Sequence, residues 1–217
     1  VSYGATKSAA PTVSDHKDLL RVVQYLYQTR EKGLIIRKQP KGCPLQMHIY
    51  VDASYLLYPD SKGQTGFCFS LNDVGIFYAK SVKQSVVTTS STHSEMRALF
   101  VAVCEYLFLE QLFAEIGRPL VSPAIVNEDN QPVVTLLTRE SAMPKQSKHF
   151  VMLVHYVREQ MLEGKLDIRK IATWENTSDL FTKGVYGRDY GYKCQKLLGR
   201  QSGEPIILPV VPTGREE

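Results

Sequence analysis

Two hydrophobic periods alternate along the chain and divide it into elements. Residues 11–33 repeat apolar side chains at helical spacing, with Leu19, Leu20, Val22, Val23, Leu26 and Tyr27 on one stripe. Ser14 and Asp15, just after Pro11-Thr12, are the N-cap candidates, and Gly33 is the stop. Residues 34–47 read as a connector turned by Pro40, Gly42 and Pro44. From Met47 to Asp52 the pattern becomes strand. Thr65–Leu71 and Val74–Lys80 add two more strands, joined by the hairpin-turn pair Asn72-Asp73. A Ser/Thr run at 88–92 leads into a long helix, Ser94–Ile116, with Ala98, Leu99, Ala102, Leu107 and Leu112 on its buried face and Gly117 closing it. Ala124–Val126 reads as a buried strand, and Pro132 suits the first turn of a helix. A helix over Lys148–Glu163 ends at Gly164, Leu166–Ala172 is a strand, and Ser178–Lys183 opens a last helix. The order β-β-β-α-β-α-α-β-α predicts an α/β domain with a mixed sheet: three antiparallel strands, then alternating helix and strand, with helices on the faces.

Composition narrows the class. At 217 residues and 43% hydrophobic, the chain accommodates one sizeable α/β domain with attachments and is not disordered throughout. No apolar run approaches bilayer length, so no membrane partner is expected. The chain begins at Val1 without a charged-then-apolar leader, which reads as a piece of something longer and not secreted. The four cysteines have no zinc-finger spacing. Cys68 and Cys104 fall in apolar stretches and are expected to be buried, reduced thiols in an intracellular compartment. A net charge of +4 permits a polyanionic partner without demanding one. The predicted division is a helix and connector at 1–46, the main domain at 47–198, and a Pro- and Gly-containing tail at 199–217.

Four acidic residues stand at predicted element ends. Asp52 ends the first strand, Glu95 lies in the first turn of the long helix, Asp129 ends the fourth strand, and Asp179 opens the final helix. Strand ends and helix starts gather at one rim of such a sheet. Carboxylates collected there repel one another unless a cation neutralises them, and Mg²⁺ is the hard, oxygen-preferring choice. A chain with 22 acidic residues also places some at element ends by chance, so spacing alone leaves the structural reading open.

Local sequence adds a resemblance. Its blocks are Asp52-Ala53-Ser54, Gly63-Gln64-Thr65-Gly66-Phe67, Lys83-Gln84-Ser85-Val86-Val87, and Ser90-Ser91-Thr92-x-x-Glu95-x-x-Ala98-Leu99. Glu128-Asp129-Asn130-Gln131, Lys148-His149, His155-Tyr156-Val157-Arg158-Glu159 and Asn176-x-x-Asp179-x-Phe181-Thr182-Lys183 follow in order. Together they resemble the ribonuclease H domain of Ty1/copia-type retrotransposon Pol polyproteins. Pro11-Thr12 and Arg21-Val22-Val23-x-Tyr25-Leu26 resemble the end of the preceding reverse transcriptase region. The resemblance implies a ribonuclease H-like five-stranded mixed sheet and a D-E-D-D site that cuts the RNA strand of RNA–DNA hybrids with two Mg²⁺ ions, Mn²⁺ being an alternative. It implies that Asp52 bridges both ions, that Glu95 and Asp129 hold one each, and that Asp179 completes the second. An integrase of the same superfold has its Glu last, whereas here Glu95 follows the first Asp. The implied partners are the hybrid and the polymerase region of the parent polyprotein, in a cytoplasmic particle or the nucleus.

The chain departs from the family pattern at several positions. His93-Ser94-Glu95-Met96 replaces Glu-Ala-Glu-Tyr, Ala79 replaces an aromatic, Val82-Lys83 replaces a lysine pair, and Phe150–Leu153 lacks an Asp and an Arg. These changes remove hybrid contacts and keep the four acids, which also fits a weakened or co-opted remnant acting as a binding module. Candidate hybrid contacts are Ser54, Lys83, Asn130, Gln131, Lys148 and His149, within a cationic set that adds Lys80, Arg97, Lys145 and Lys183. Scattered surface lysines give the same pattern. His149 and His155, six apart, do not share a helical face for joint ligation, and Trp174 is assigned to packing.

Overall fold

The computed structural model describes residues 2–37, 39–139 and 147–199. Lys145 and the tail after Gly199 lie outside the described residues. A short helix α1 (Ser2–Ala5) and helix α2 (Val13–Thr29) precede three strands, β1 (Leu45–Ser54), β2 (Lys62–Leu71) and β3 (Ile76–Val87). Helix α3 (Ser91–Glu115), β4 (Leu120–Glu128), α4 (Gln131–Thr138), α5 (Lys148–Leu162) and β5 (Leu166–Lys170) follow. Two 3₁₀ turns, Thr173–Glu175 and Thr177–Phe181, then lead to α6 (Gly187–Leu197). The sheet has five strands in the order β3-β2-β1-β4-β5. The first three pair antiparallel, and β4 pairs parallel with both β1 and β5. This is the ribonuclease H-like mixed sheet that the resemblance implied.

Several boundaries differ from the sequence reading, each for a local reason. Thr12, not Ser14 or Asp15, caps α2: its hydroxyl accepts the Asp15 N–H at 3.2 Å while the Asp15 carboxylate accepts the Thr12 N–H at 2.8 Å. Ser90 caps α3 by accepting the His93 N–H, so the Ser/Thr run joins the first turn and Glu95 falls in the second. Where Ser178–Lys183 was expected to open a helix, the 3₁₀ turn Thr177–Phe181 forms and stops at Phe181, and the last helix starts afresh at Gly187. Asn72 and Asp73 both take positive φ, the geometry of a two-residue hairpin turn. The Asn72 side chain also accepts the Gln46 N–H at 2.7 Å, tying the turn to β1.

Strand pleating sorts the core. Met47, Ile49 and Val51 of β1 share one face with Phe67 and Phe69 of β2, packed under Met96, Leu99, Ala102, Val103 and Tyr106 of α3 and Phe150, Val154 and Val157 of α5. The opposite face holds a smaller cluster, Tyr50, Cys68 and Ile76, covered by Phe181 and Leu197. Cys68 is buried as expected. Cys104 is exposed, and Leu112 is 39% exposed, because both lie on the outer side of α3. The α2 stripe is also uncovered among the described residues, with Leu19, Leu20, Val23 and Leu26 exposed.

Gly66 fixes where the second face meets the rim. It pairs across β1–β2 with Asp52, and a Cβ there would come within 2.6 Å of Thr182 Cγ2 and 2.8 Å of Phe181 Cβ. The missing side chain lets the 3₁₀ turn lie directly on the sheet beside Asp52. Gly66→Ala is expected to push the turn outward and cost about 1–3 kcal/mol of stability, read as a lower urea midpoint. An unchanged midpoint would show that the close approach is not required.

Candidate metal centre

Asp52 projects from β1 onto the face covered by the turns, two residues before the strand ends, and is 2% exposed. Asp129 follows β4 and is half-buried, and Asp179 is buried within the second 3₁₀ turn. Each of these three residues offers a carboxylate oxygen, and the three oxygens lie within 4.8 Å of one another. Glu95, buried in α3, stands outside that group but is electrostatically coupled to it: Asp52 and Asp129 both push its carboxyl up.

The turn segment and α6 tether one oxygen of each clustered carboxylate. Thr182 Oγ1 donates to Asp52 Oδ2, Asn176 Nδ2 donates to Asp129 Oδ1 at 2.9 Å, and Lys193 Nζ donates to Asp179 Oδ2. Asn176 Nδ2 also donates to the Val51 carbonyl at 2.8 Å, and its Oδ1 accepts the Ser178 N–H, so one side chain ties turn, strand and carboxylate together. The second oxygens of Asp52 and Asp179 face Lys183, whose Nζ stands 3.4 Å from Asp52 Oδ1 and 2.7 Å from Asp179 Oδ1. An ammonium group thus sits where these oxygens converge.

Burial drives the Asp52 carboxyl up to about 7 from an ordinary 3.8; the Lys183 charge and the Thr182 hydroxyl oppose the rise, and Asp179 and Asp129 add to it. Burial raises Glu95 as well, followed by the charges of Glu128, Asp52 and Asp129. For Lys183, burial lowers the pKa, but the Asp52 and Asp179 charges outweigh it and hold the ammonium firmly protonated.

Glu128 was missed as a member of this group. It is fully buried, burial lifts it to about 8, and its Oε1 accepts the Asn130 N–H at 2.9 Å. Strand alternation carried the signal, since Ala124 and Val126 share its face and both are core residues. Lys193 had no such signal, being a lysine in a mostly polar helix.

These residues fit a divalent cation. The donors are hard carboxylate oxygens, and the buried Oε2 atoms of Glu95 and Glu128 have no hydrogen-bond partner among the described residues.

The candidate hybrid contacts are dispersed and partly engaged. Ser54 Oγ donates to the Thr182 carbonyl at 2.8 Å. Lys83 pairs with Asp60 at 2.9 Å and lies over the Tyr58 ring, so an internal partner holds it. Lys80 is likewise held by Glu105, and Arg97 donates to Ser85. Asn130 caps α4 by accepting the Val133 N–H, and Gln131 donates to Thr135. Lys148 and His149 are exposed in the first turn of α5, and His155 is exposed further along it. Trp174 is half-exposed and meets Tyr192 edge-on.

No protein-family profile matches the chain. Over 174 residues it is 29% identical to the retrovirus-related Pol polyprotein from transposon RE2 of Arabidopsis thaliana, covering 80% of this chain and 12% of that protein. Over 164 residues it is 26% identical to the transposon Ty1-DR1 Gag-Pol polyprotein of Saccharomyces cerevisiae, covering 75% of this chain and 9% of that protein. The chain is thus similar to one segment of transposon Pol polyproteins and spans only about a tenth of their length. Among solved structures, the LC11 RNase H1 isolated from compost superposes with a TM-score of 0.50 at 14% identity, covering 63% of this chain and 92% of that one. That likeness gives the fold alone: the chain has a ribonuclease H-like fold. No helix among the described residues is long and apolar enough to cross a membrane.

The buried carboxylates set a pH dependence. Asp52 and Glu128 hold protons in the folded state that the unfolded chain releases above about pH 4. Their contribution to stability is therefore complete below that point and is lost as pH rises through about 7 to 8. Glu105, held low chiefly by its hydrogen bond from Lys80, finishes titrating below this window. With chelator present, the Tm is expected to fall between pH 5 and pH 8 by several degrees, at about 2–4 °C per kcal/mol. Saturating Mg²⁺ at pH 8 is expected to restore it. A flat profile in chelator would contradict the assigned burial.

Proposed function

We propose that this chain is a retrotransposon ribonuclease H that hydrolyses the RNA strand of RNA–DNA hybrids using divalent cations held by Asp52, Glu95, Asp129 and Asp179. The observation that carries the reading is the convergence of Asp52, Asp129 and Asp179 within a ribonuclease H fold. Two Mg²⁺ ions, or Mn²⁺ in their place, are the cofactors in this reading. When bound they supply an ionised water at neutral pH and stabilise charge on the leaving 3′-oxygen. The chain's own contribution is orientation. Thr182, Asn176 and Lys193 each hold one oxygen of a ligand carboxylate in a poorly solvated pocket, where its electrostatic effect is strong.

Ser54, Asn130, Gln131, Lys148 and His149 are the proposed contacts to the hybrid. Lys83 reaches a phosphate in this reading only by leaving Asp60. Residues 47–198 are the proposed catalytic domain, 1–46 the connection to a polymerase region, and 199–217 a tail. Function inside the cell, as part of a larger Pol polyprotein, is proposed with it, supported by the similarity to transposon Pol polyproteins.

The test is cleavage of a labelled RNA–DNA hybrid with Mg²⁺. The native protein is expected to cut the RNA strand, and Asp52→Asn to lower the rate more than about a hundredfold, because charge stabilisation worth several kcal/mol depends on the ligand. Equal cleavage by both proteins would reject the site. Hybrid binding without cleavage at any Mg²⁺ or Mn²⁺ concentration would favour a binding module, the reading to which the exposed Ala79 on β3 also leans.

A further inference from the structure

Lys193 is the only fully buried lysine among the described residues, at 2% exposure. Removing an ammonium group from water is costly unless it is paired, so a lysine at such a position needs a fixed partner. Its Nζ has two partners: it donates to Asp179 Oδ2 and, at 3.0 Å, to the Thr173 carbonyl. Thr173 opens the first 3₁₀ turn and Asp179 lies in the second, so one side chain from α6 clasps both turns. Lys183, the other cation at Asp179, differs in kind. Its side chain is 43% exposed, whereas that of Lys193 is 2% exposed.

We propose that Lys193 is a positioning residue that keeps Asp179 Oδ2 occupied, so that Asp179 presents one oxygen, Oδ1, to a cation at the carboxylate cluster. This rests on the metal-dependent reading above and goes beyond it by assigning α6 a part in the site. The physical reason is competition. A carboxylate with both oxygens free can take a cation through two oxygens and draw it toward itself. A buried ammonium on one oxygen forbids that and partly offsets the charge of the cluster.

The role has a signature that a purely structural role lacks. In Lys193→Met, the freed oxygen and the lost positive charge both favour the ion, so Mn²⁺ binding, followed by electron paramagnetic resonance of free Mn²⁺, is expected to tighten by at least about threefold. Hybrid cleavage is expected to move the other way, with kcat falling about tenfold to a hundredfold at unchanged KM, because the ion is misplaced. Weakening of both together, or no change in either in a folded variant, would overturn the proposal. If wild-type protein cleaves no hybrid, the nuclease reading fails while the Mn²⁺ isotherm still tests Lys193. Should Lys193→Met not fold, the wild-type protein supplies the test: a slowly exchanging lysine NH₃⁺ signal in ¹H–¹⁵N spectra is expected to persist at saturating Mg²⁺. Its loss as Mg²⁺ binds would show that the ion displaces Lys193 and would overturn the assignment.

Discussion

Like charges held in a poorly solvated place are what the rest of this structure has to accommodate. Asp52, Glu95, Glu128 and Asp179 are all buried, and Asp129 is half-buried beside them. Left to itself such a group either takes up protons or expands. The fold answers with donors aimed at single oxygens, from Thr182, Asn176 and Lys193, and with the Lys183 ammonium between Asp52 and Asp179. Even so, Asp52 and Glu128 remain raised to about 7 and about 8. The neutralisation is incomplete, and a divalent cation is the natural remedy.

Topology explains how residues so distant along the chain arrive together. Parallel pairing of β1 with β4 sets Asp129 beside the end of β1, and the antiparallel pairing of β1 with β2 puts Gly66 opposite Asp52. That glycine leaves the space into which the second 3₁₀ turn settles, bringing Asp179 and Thr182 with it. The core under α3 and α5 holds the sheet in place, and the smaller cluster under Phe181 and Leu197 holds the turn. The site is thus assembled from both faces of one sheet at its rim.

The framework was legible because long amphipathic helices and a hairpin turn leave strong periodic signals. Asp52 and Asp129 could be placed near strand ends for the same reason, although β1 runs on to Ser54 and β4 stops at Glu128. What escaped the sequence is what depends on tertiary contact. Whether residues 178–183 begin a helix or form a turn is decided by packing on Gly66, not by propensity. Cys104 and Leu112 lie in an apolar run yet face outward, because the run in α3 is wider than the face it buries. Lys193 looks like any surface lysine until α6 is docked. Lys83, a candidate phosphate contact by its position in a motif, is held by Asp60 from the loop between β1 and β2, a pairing that spacing does not reveal.

The central claim is that Asp52, Asp129 and Asp179 together make one cation site, and diffraction from crystals grown with Mn²⁺ tests it most directly. The expected result is an anomalous difference peak bounded by those three carboxylates, abolished in Asp52→Asn crystals. Fully ordered carboxylates with no peak among them at saturating Mn²⁺, or a peak seated elsewhere on the protein, would contradict the account.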